Sequence, residues 1–188
     1  MADDTILSLL DTDGCSDATA SPEHVEAGVD GSRKIAERDF NRVDALHARF
    51  EAAAAKTEMP AALLAALASR ETHCGALLDH NGEGDHGFAF GIMQVDKRFH
   101  EQAGRPDPTS QAHIDQAAGI LKDGLSAMTA KFPGAAPDDC LLAAVAAYNC
   151  GPGNVRDIAS PDDRTAHGDY SSDTWVRAQF FAEKWATV

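Results

Sequence analysis

Glu71 is the residue of this chain best suited to acid catalysis. It stands in Ser-Arg-Glu-Thr-His at 69–73 and follows an apolar helical stretch that carries Leu63, Leu64 and Leu67. A carboxyl group held partly away from water in such a place should have a raised pKa. An acid that keeps its proton near neutral pH can protonate a leaving oxygen atom. A lone Glu near a helix end is more often a solvated surface residue, so the interpretation depends on what accompanies it.

Two further strings supply polar side chains that could share a site with Glu71. They are Phe-Gly-Ile-Met-Gln-Val-Asp at 90–96 and Ala-Tyr-Asn-Cys-Gly at 147–151. Two aspartates, Asp85 and Asp96, add carboxylates to the same part of the chain. Each has an ordinary alternative, because Asp85 in Gly-Asp-His-Gly could be a turn residue and Asp96 could cap the end of a strand.

The segments around these strings predict a mainly helical protein. Apolar residues recur on roughly one face over 33–56, which predicts a long helix, and Pro60 suits the first turn of the next helix, which runs to Glu71. Between 79 and 96 glycines punctuate short apolar runs, which predicts a turn and a small β-sheet beside the site. The expected class is therefore α+β, a helical bundle with a small antiparallel sheet.

The second half of the chain predicts further helices. Ser110 is a good N-cap for a helix whose apolar stripe ends at Phe132. Asp138 or Asp139 could cap an Ala-rich helix that runs to about Asn149. Asn154 could cap a short helix after that, and a last helix carries Trp175 and Trp185. Residues 1–32 show no sustained periodicity, so we expect an irregular N-terminal arm and one folded domain over 33–188.

Composition excludes several classes of function. The 188 residues carry a formal charge of −14, which argues against nucleic acid as a partner, because phosphate binding needs clustered positive charge. No apolar run approaches the roughly 20 residues of a membrane span. The first residues lack the basic region of a secretory signal. Nothing in the sequence suggests a metal site or a cofactor.

The four cysteines, Cys15, Cys74, Cys140 and Cys150, are widely spaced and contain no CxxC pair, which makes a zinc site improbable. Cys140 and Cys150 fall on one predicted helix, about 15 Å apart, and so cannot bridge each other. Free thiols and a single disulfide both stay open. Cys74 and Cys150 flank two of the strings that should converge, so we expect them to lie close together.

In this order the three strings resemble the active site of goose-type lysozymes. The resemblance covers roughly residues 11–183. Further segments match the family in kind: Lys34-Ile35-Ala36-Glu37-Arg38-Asp39, Gln94-Val95-Asp96-Lys97-Arg98, Gly153-Asn154-Val155-Arg156 and Arg177-Ala178-Gln179.

The resemblance implies a lysozyme-like fold and a muramidase that hydrolyses the β-1,4 bond between N-acetylmuramic acid and N-acetylglucosamine in peptidoglycan. Glu71 would donate the proton, and Asp85 and Asp96 would position or deprotonate the water that attacks with inversion. Contacts to the sugar are implied for six further residues: Gln94, His100, Ile120, Tyr148, Asn149 and Tyr170. Of these, Gln94 could instead support a backbone carbonyl, and Tyr170 resembles a family position near the acid.

Two other functions stay open beside hydrolysis. A lytic transglycosylase would cleave the same bond but let the muramic acid's own 6-hydroxyl close the ring, so that no second carboxylate is needed. A wall-binding module without catalysis would coat cell walls and not clear them. The presence of Asp85 and Asp96 favours the hydrolase.

The resemblance also guides expectations about partners and place. A protein inhibitor of lysozyme or a cognate immunity protein is a reasonable partner, and a monomer without membrane contact is expected. The substrate places the action in an extracellular or periplasmic compartment.

The chain departs from the family pattern at several positions. The cysteines that bird relatives bridge in the N-terminal part are represented here by Cys15 alone. Cys74 and Cys150 stand where the likeness places small residues, and Gly124 stands where it places a large aromatic group. The segment from His80 to Asp85 is one residue longer than the pattern.

Overall fold

The computed structural model describes residues 4–187 as a helical protein with one small sheet. The helices are α1 (Asp17–Ala20), α2 (Val29–Asp44), α3 (His47–Thr57), α4 (Ala61–Thr72), α5 (Gln111–Lys131), α6 (Pro137–Cys150) and α7 (Tyr170–Trp185). The strands are β1 (Glu83–Gly84), β2 (Ala89–Phe90) and β3 (Val95–Asp96). Turns of 3-10 helix lie at Asp4–Leu9, Asp85–Gly87, Pro161–Arg164 and Ala166–Gly168. This architecture confirms the predicted mainly α, α+β class.

Helix α4 is the centre of the fold. Its sequence, Ala-Ala-Leu-Leu-Ala-Ala-Leu-Ala-Ser-Arg-Glu-Thr, is rich in the best helix formers and apolar on all sides. Residues 62–69 are all buried, and α2, α3 and α7 pack around them. The helix ends where His73 and Cys74 adopt left-handed backbone angles. The fold therefore delivers the last turn of a buried helix, with Glu71 in it, to the surface of the core.

The sheet places both aspartates at one end. The strands run antiparallel in the order β1-β2-β3, and Ala89 of β2 pairs with Gly84 on one side and Asp96 on the other. Asp85 follows Gly84 directly and begins the turn that leads to β2. Strand pairing thus brings Asp85 and Asp96 to the same end of the sheet, on either side of β2.

The prediction of one continuous helix over 33–56 is wrong. The structure has two helices there, with Ala45 and Leu46 between them, and the first begins at Val29. The break lets α2 pack against α4 and α7 while α3 packs against α4 and α5. Neither Gly nor Pro marks the break, so the local sequence does not signal it.

Two other local predictions need correction. No helix begins at Asn154, whose side-chain amide donates instead to the Cys150 carbonyl at the end of α6. The N-terminal arm is also more ordered than expected, because it contains α1 and a 3-10 turn whose Leu7 is buried in the main core. By contrast, Ser110 caps α5 as predicted, since its hydroxyl accepts from the His113 amide at 3.3 Å. Within residues 4–187, none of the helices combines the length and apolarity that a membrane crossing needs.

Candidate active site

Glu71 lies in the last turn of α4 and is partly buried. Burial is the largest influence on its carboxyl group and raises its pKa from 4.5 to about 7. A hydrogen bond from Tyr170 and the charge of Arg70 act in the opposite direction, and the negative charge of Asp85 adds to the increase. Burial prevails, so a large share of the Glu71 carboxyl groups keep their proton near neutral pH.

Tyr170 is the direct partner of this acid. It is the first residue of α7, is buried, and donates its hydroxyl hydrogen to Oε1 of Glu71. Burial and the neighbouring Glu71 raise the pKa of the Tyr170 hydroxyl well above 10, so the phenol remains a donor. The Arg70 guanidinium lies 5.5 Å from the centre of its ring. The bond from Tyr170 to Glu71 agrees with the expected position of Tyr170 near the acid, and a contact of Tyr170 with the sugar stays a prediction.

The two aspartates differ in their surroundings. Arg98 donates from Nε to both carboxylate oxygens of Asp96 at 3.0 Å, and its Nη2 lies 2.5 Å from Oδ2. This hydrogen bonding lowers the pKa of Asp96. Asp85 is exposed, and its contact with Arg98 is longer, at 3.8 Å. The Arg98 guanidinium therefore contacts both aspartates, but its hydrogen bonds go to Asp96 and its contact with Asp85 is longer.

Gln94 and Tyr148 connect the β-sheet region to the helices. Gln94 donates from Nε2 to the Gly91 carbonyl at 2.8 Å, in line with the prediction that it supports a backbone carbonyl. A Cβ at Gly84 would lie 2.2 Å from Oε1 of Gln94, so this close approach requires glycine. Tyr148 of α6 donates its hydroxyl to the Met93 carbonyl at 2.7 Å. Its pKa is raised by burial and by Glu71, which places it in the electrostatic reach of the acid.

The remaining predicted sugar contacts are more dispersed. His100 is exposed, and its amide donates to the Asp96 carbonyl at 3.0 Å. Asn149 is exposed near the end of α6 and accepts from the Ala166 amide at 2.9 Å. Ile120 is partly buried on α5 and packs against the main core. Their roles toward a sugar stay predictions.

Sequence reasoning missed a cluster of buried charges behind the acid. Asp173 of α7 accepts from Arg70 at 2.9 Å and from Arg177 at 2.7 Å, and all three side chains are at most 8% exposed. Asp39 of α2 accepts from Ser69 at 2.6 Å. The only signal in the sequence was the Asp173–Arg177 spacing of four residues, which places opposite charges on one face of a helix.

His73, two residues after the acid, extends this cluster toward the N-terminal arm. Its Nδ1 lies 3.0 Å from Asp39 and its Nε2 lies 3.0 Å from Glu23. Hydrogen bonding to Asp39 is the first cause that raises the pKa of His73. The end of α4 is therefore tied to α2 and to the arm on the side away from the sheet.

All four cysteines are free thiols. Cys74 is buried, which raises its pKa to about 12, and its charged neighbours are Asp39 and Arg42. The charged neighbours of Cys150 are Asp162 and Lys131. The thiols thus have different charged neighbours and no disulfide joins them, which answers the open choice in favour of free thiols; that Cys74 and Cys150 lie close together stays a prediction.

Comparison with known proteins places these features in one family. The lysozyme g family model matches residues 6–184. The chain is 39% identical to lysozyme g of Struthio camelus over 93% of its own length and 84% of that protein. It is 40% identical to lysozyme g of Gallus gallus, over 94% and 83% of the two chains. Lysozyme g of Cyprinus carpio is 37% identical, over 93% and 94%.

Proposed function

The chain belongs to the lysozyme g family, and on this premise we propose how its residues cleave peptidoglycan. As a member, it is a glycoside hydrolase and a muramidase, whose bond is the β-1,4 link between N-acetylmuramic acid and N-acetylglucosamine. We assign the residues that do the chemistry, their roles, and the stereochemical course.

Glu71 is the general acid that protonates the oxygen of the leaving sugar. The observation that carries this assignment is a partly buried carboxyl group with a pKa raised to about 7, so that it can both hold a proton near neutral pH and release it to a leaving oxygen. Tyr170 fixes one oxygen of that carboxyl group by its hydrogen bond. The other oxygen is then oriented to deliver the proton to the substrate.

Asp85 and Asp96 manage the attacking water on the opposite face of the sugar. Asp85 supplies the more accessible carboxylate and acts as the base, because Asp96 is engaged by Arg98 through both oxygens. Asp96 positions Arg98 and, through it, Asp85. Both aspartates stand at the same end of the sheet, on a different element from Glu71. This arrangement suits an inverting enzyme, in which acid and base carboxyl groups lie about 6.5–9.5 Å apart to admit a water.

Asparagine substitutions test this division of work. We expect Asp85→Asn to reduce the rate more than Asp96→Asn, and both to cost less than loss of Glu71. The double variant should lose more than the product of the single losses, because each aspartate can partly support the water alone. Strictly multiplicative losses, or a larger effect of Asp96→Asn, would contradict these roles.

Sugar contacts come from side chains around the acid. Tyr148 offers part of its ring for stacking, and Asn149 and His100 offer polar atoms at exposed positions. Gln94 supports the backbone beside them through Gly91. Ile120 lines the α5 side, and Tyr170 contributes through the acid.

The principal rival mechanism is that of a lytic transglycosylase. Digestion of purified peptidoglycan in 18-O water separates the two by mass analysis of the products. Hydrolysis gives reducing ends that carry one heavy oxygen, whereas transglycosylation gives 1,6-anhydro ends without it. Glu71→Gln is the matched control, since it keeps the size of the side chain and removes the proton donor. A wall-binding module would give neither product.

The substrate also bears on where the protein acts and on its partners. Because peptidoglycan lies outside the cytoplasmic membrane, we place the activity in an extracellular or periplasmic compartment. The protein acts as a monomer. A lysozyme inhibitor or an immunity protein is the partner that we expect to bind it. Sedimentation at working concentration tests the monomeric state. Loss of wall clearing on addition of a purified inhibitor tests the expected partner.

A further inference from the structure

Two pairs of neighbouring residues meet where the end of α4 touches the start of α7. Arg70 precedes Glu71 on α4, and Asp169 precedes Tyr170 on α7. Arg70 donates from Nη2 to Oδ1 of Asp169 at 2.9 Å, and Tyr170 donates to Glu71. The ion pair and the hydrogen bond to the acid are therefore adjacent connections between the same two helices.

Asp169 does not serve its own helix. Aspartate at the residue before a helix usually caps it, yet the Asp169 side chain makes no such bond. Asp162 takes this role instead and accepts from the amides of Ser171 at 2.8 Å and Ser172 at 3.0 Å. The second oxygen of Asp169 accepts from the Ser16 amide of the N-terminal arm at 2.6 Å. Both Asp169 oxygens thus serve contacts between segments.

Arg70 is fixed from several directions. Its Nη1 donates to Asp173 at 2.9 Å and to the hydroxyl of Thr19 in the arm at 3.1 Å. Its side chain is only 8% exposed, and the guanidinium faces the ring of Tyr170. A guanidinium held by two carboxylates and one hydroxyl has little conformational freedom, so it fixes the position of the Tyr170 ring that packs on it.

We propose that the Arg70–Asp169 ion pair is a positioning device that holds the Tyr170 hydroxyl against the carboxyl group of Glu71. The pair fixes the backbone of α7 one residue before the tyrosine and the backbone of α4 one residue before the acid. The arm acts as a brace through Ser16 and Thr19. This role rests on Glu71 as the acid, and it gives the arm a part in catalysis.

The direction in which Asp169→Asn changes the pKa of Glu71 separates a positioning role of the ion pair from a purely electrostatic effect of the Asp169 charge. The bond from Tyr170 lowers the pKa of Glu71, so loosening that bond raises the pKa above about 7. Loss of the Asp169 charge alone leaves Arg70 less neutralised, and the charge of Arg70 lowers the pKa of Glu71. Positioning therefore predicts an upward change for Asp169→Asn, and simple charge predicts a downward one.

The test is a cycle of four proteins: wild type, Asp169→Asn, Tyr170→Phe and the double variant. The pKa of Glu71 is measured by 13-C NMR titration of its carboxyl carbon, assigned by the signal that disappears in Glu71→Gln. The basic limb of kcat/KM against pH gives a second reading. We expect Tyr170→Phe to move both upward by about one pH unit, as loss of a charge-assisted hydrogen bond implies. Asp169→Asn should move them in the same direction, and the double variant should match Tyr170→Phe.

Met128→Ala, in the buried face of α5, controls for general destabilisation. It should lower Tm without moving either pKa reading. A downward or absent change in Asp169→Asn, or an added change in the Tyr170→Phe background, would overturn the proposal. The NMR titration does not depend on turnover, so it still reports on positioning if Glu71→Gln proves active and the assignment of the acid fails.

Discussion

Glu71→Gln should abolish activity and also make the protein more stable above neutral pH. Gln keeps the size of the side chain and can still accept the Tyr170 hydrogen bond, but it has no proton to donate. Loss of general acid catalysis typically costs about 10²–10⁴-fold in rate. The gain in stability arises because the substitution removes a carboxyl group whose ionised form is poorly hydrated in the folded protein.

The size of this gain follows from the pKa of Glu71. The group ionises near pH 4.5 in the unfolded chain and near 7 in the folded protein, a difference of 2.5 pH units. Between those values the folded state binds more protons than the unfolded state, so wild-type stability falls as pH rises. At about 1.4 kcal/mol per pH unit the loss amounts to about 3.4 kcal/mol and is nearly complete at pH 8. Gln has no such loss, so its advantage should grow by about that amount between pH 4 and pH 8.

Urea unfolding of both proteins at pH 4, 6 and 8 measures this difference, because all other titrating groups are common to the pair and cancel. Glu183→Gln is the matched control. The Arg33 hydrogen bond lowers the pKa of Glu183, so its stabilising effect is present above its unfolded pKa and is lost as pH falls. That variant should therefore show the opposite sign, and only weakly, because the pair is exposed. An advantage of Glu71→Gln that does not change with pH would refute the reasoning about desolvation.

Four substitutions, in three experiments, have expected outcomes. Asp85→Asn should move the basic limb of the pH–activity profile to lower pH, because its charge raises the pKa of Glu71, whereas Asp96→Asn should leave that limb in place; equal movement in both would contradict the assignment. His73→Gln should cost most stability below about pH 6.5 and less as pH rises through its raised folded pKa, since its carboxylate partners favour the charged imidazole; denaturant titrations at pH 5.5 and 9 compare the two limits. Gly91→Ala should lower Tm, because the backbone has a φ of +78° and a Cβ would lie 2.3 Å from a buried imidazole nitrogen; an unchanged Tm would show that the neighbour moves at little cost.

Local sequence was enough to predict the helix that carries Glu71 and the elements near it. An apolar helix that ends at Glu71, glycine-punctuated strands and the Ser110 cap all follow from short-range patterns, and the structure has each of them. The break at Ala45 and Leu46 could not be predicted in this way. It depends on which neighbours α2 and α3 pack against, and no residue at the break favours it locally.

The buried charges were missed for a related reason. Asp39, Arg70 and Asp173 come from three separate helices, and each alone resembles an ordinary surface charge. Their partners are set by helix packing, which a single sequence does not reveal. Tyr170 was recognised by family likeness, but its bond to Glu71 depends on the same packing. The sequence thus predicts the helices and strands that carry the candidate groups better than it predicts the buried side chains that hold them in place.

Helix α4 both raises the pKa of Glu71 and carries apolar side chains whose burial offsets the free-energy cost of ionising it. An ionised carboxylate there loses hydration and lies at a helix C-terminus, where the helix dipole opposes negative charge by about 0.3–1 kcal/mol. Together these effects leave a carboxylate whose ionisation costs the fold about 3 kcal/mol at pH 8. Leu63, Leu64 and Leu67 on the same helix are 0% exposed, and burial of each contributes about 1.5–3 kcal/mol. Burial of these three side chains thus offsets, within the same helix, the cost that appears as Glu71 changes from proton donor to carboxylate.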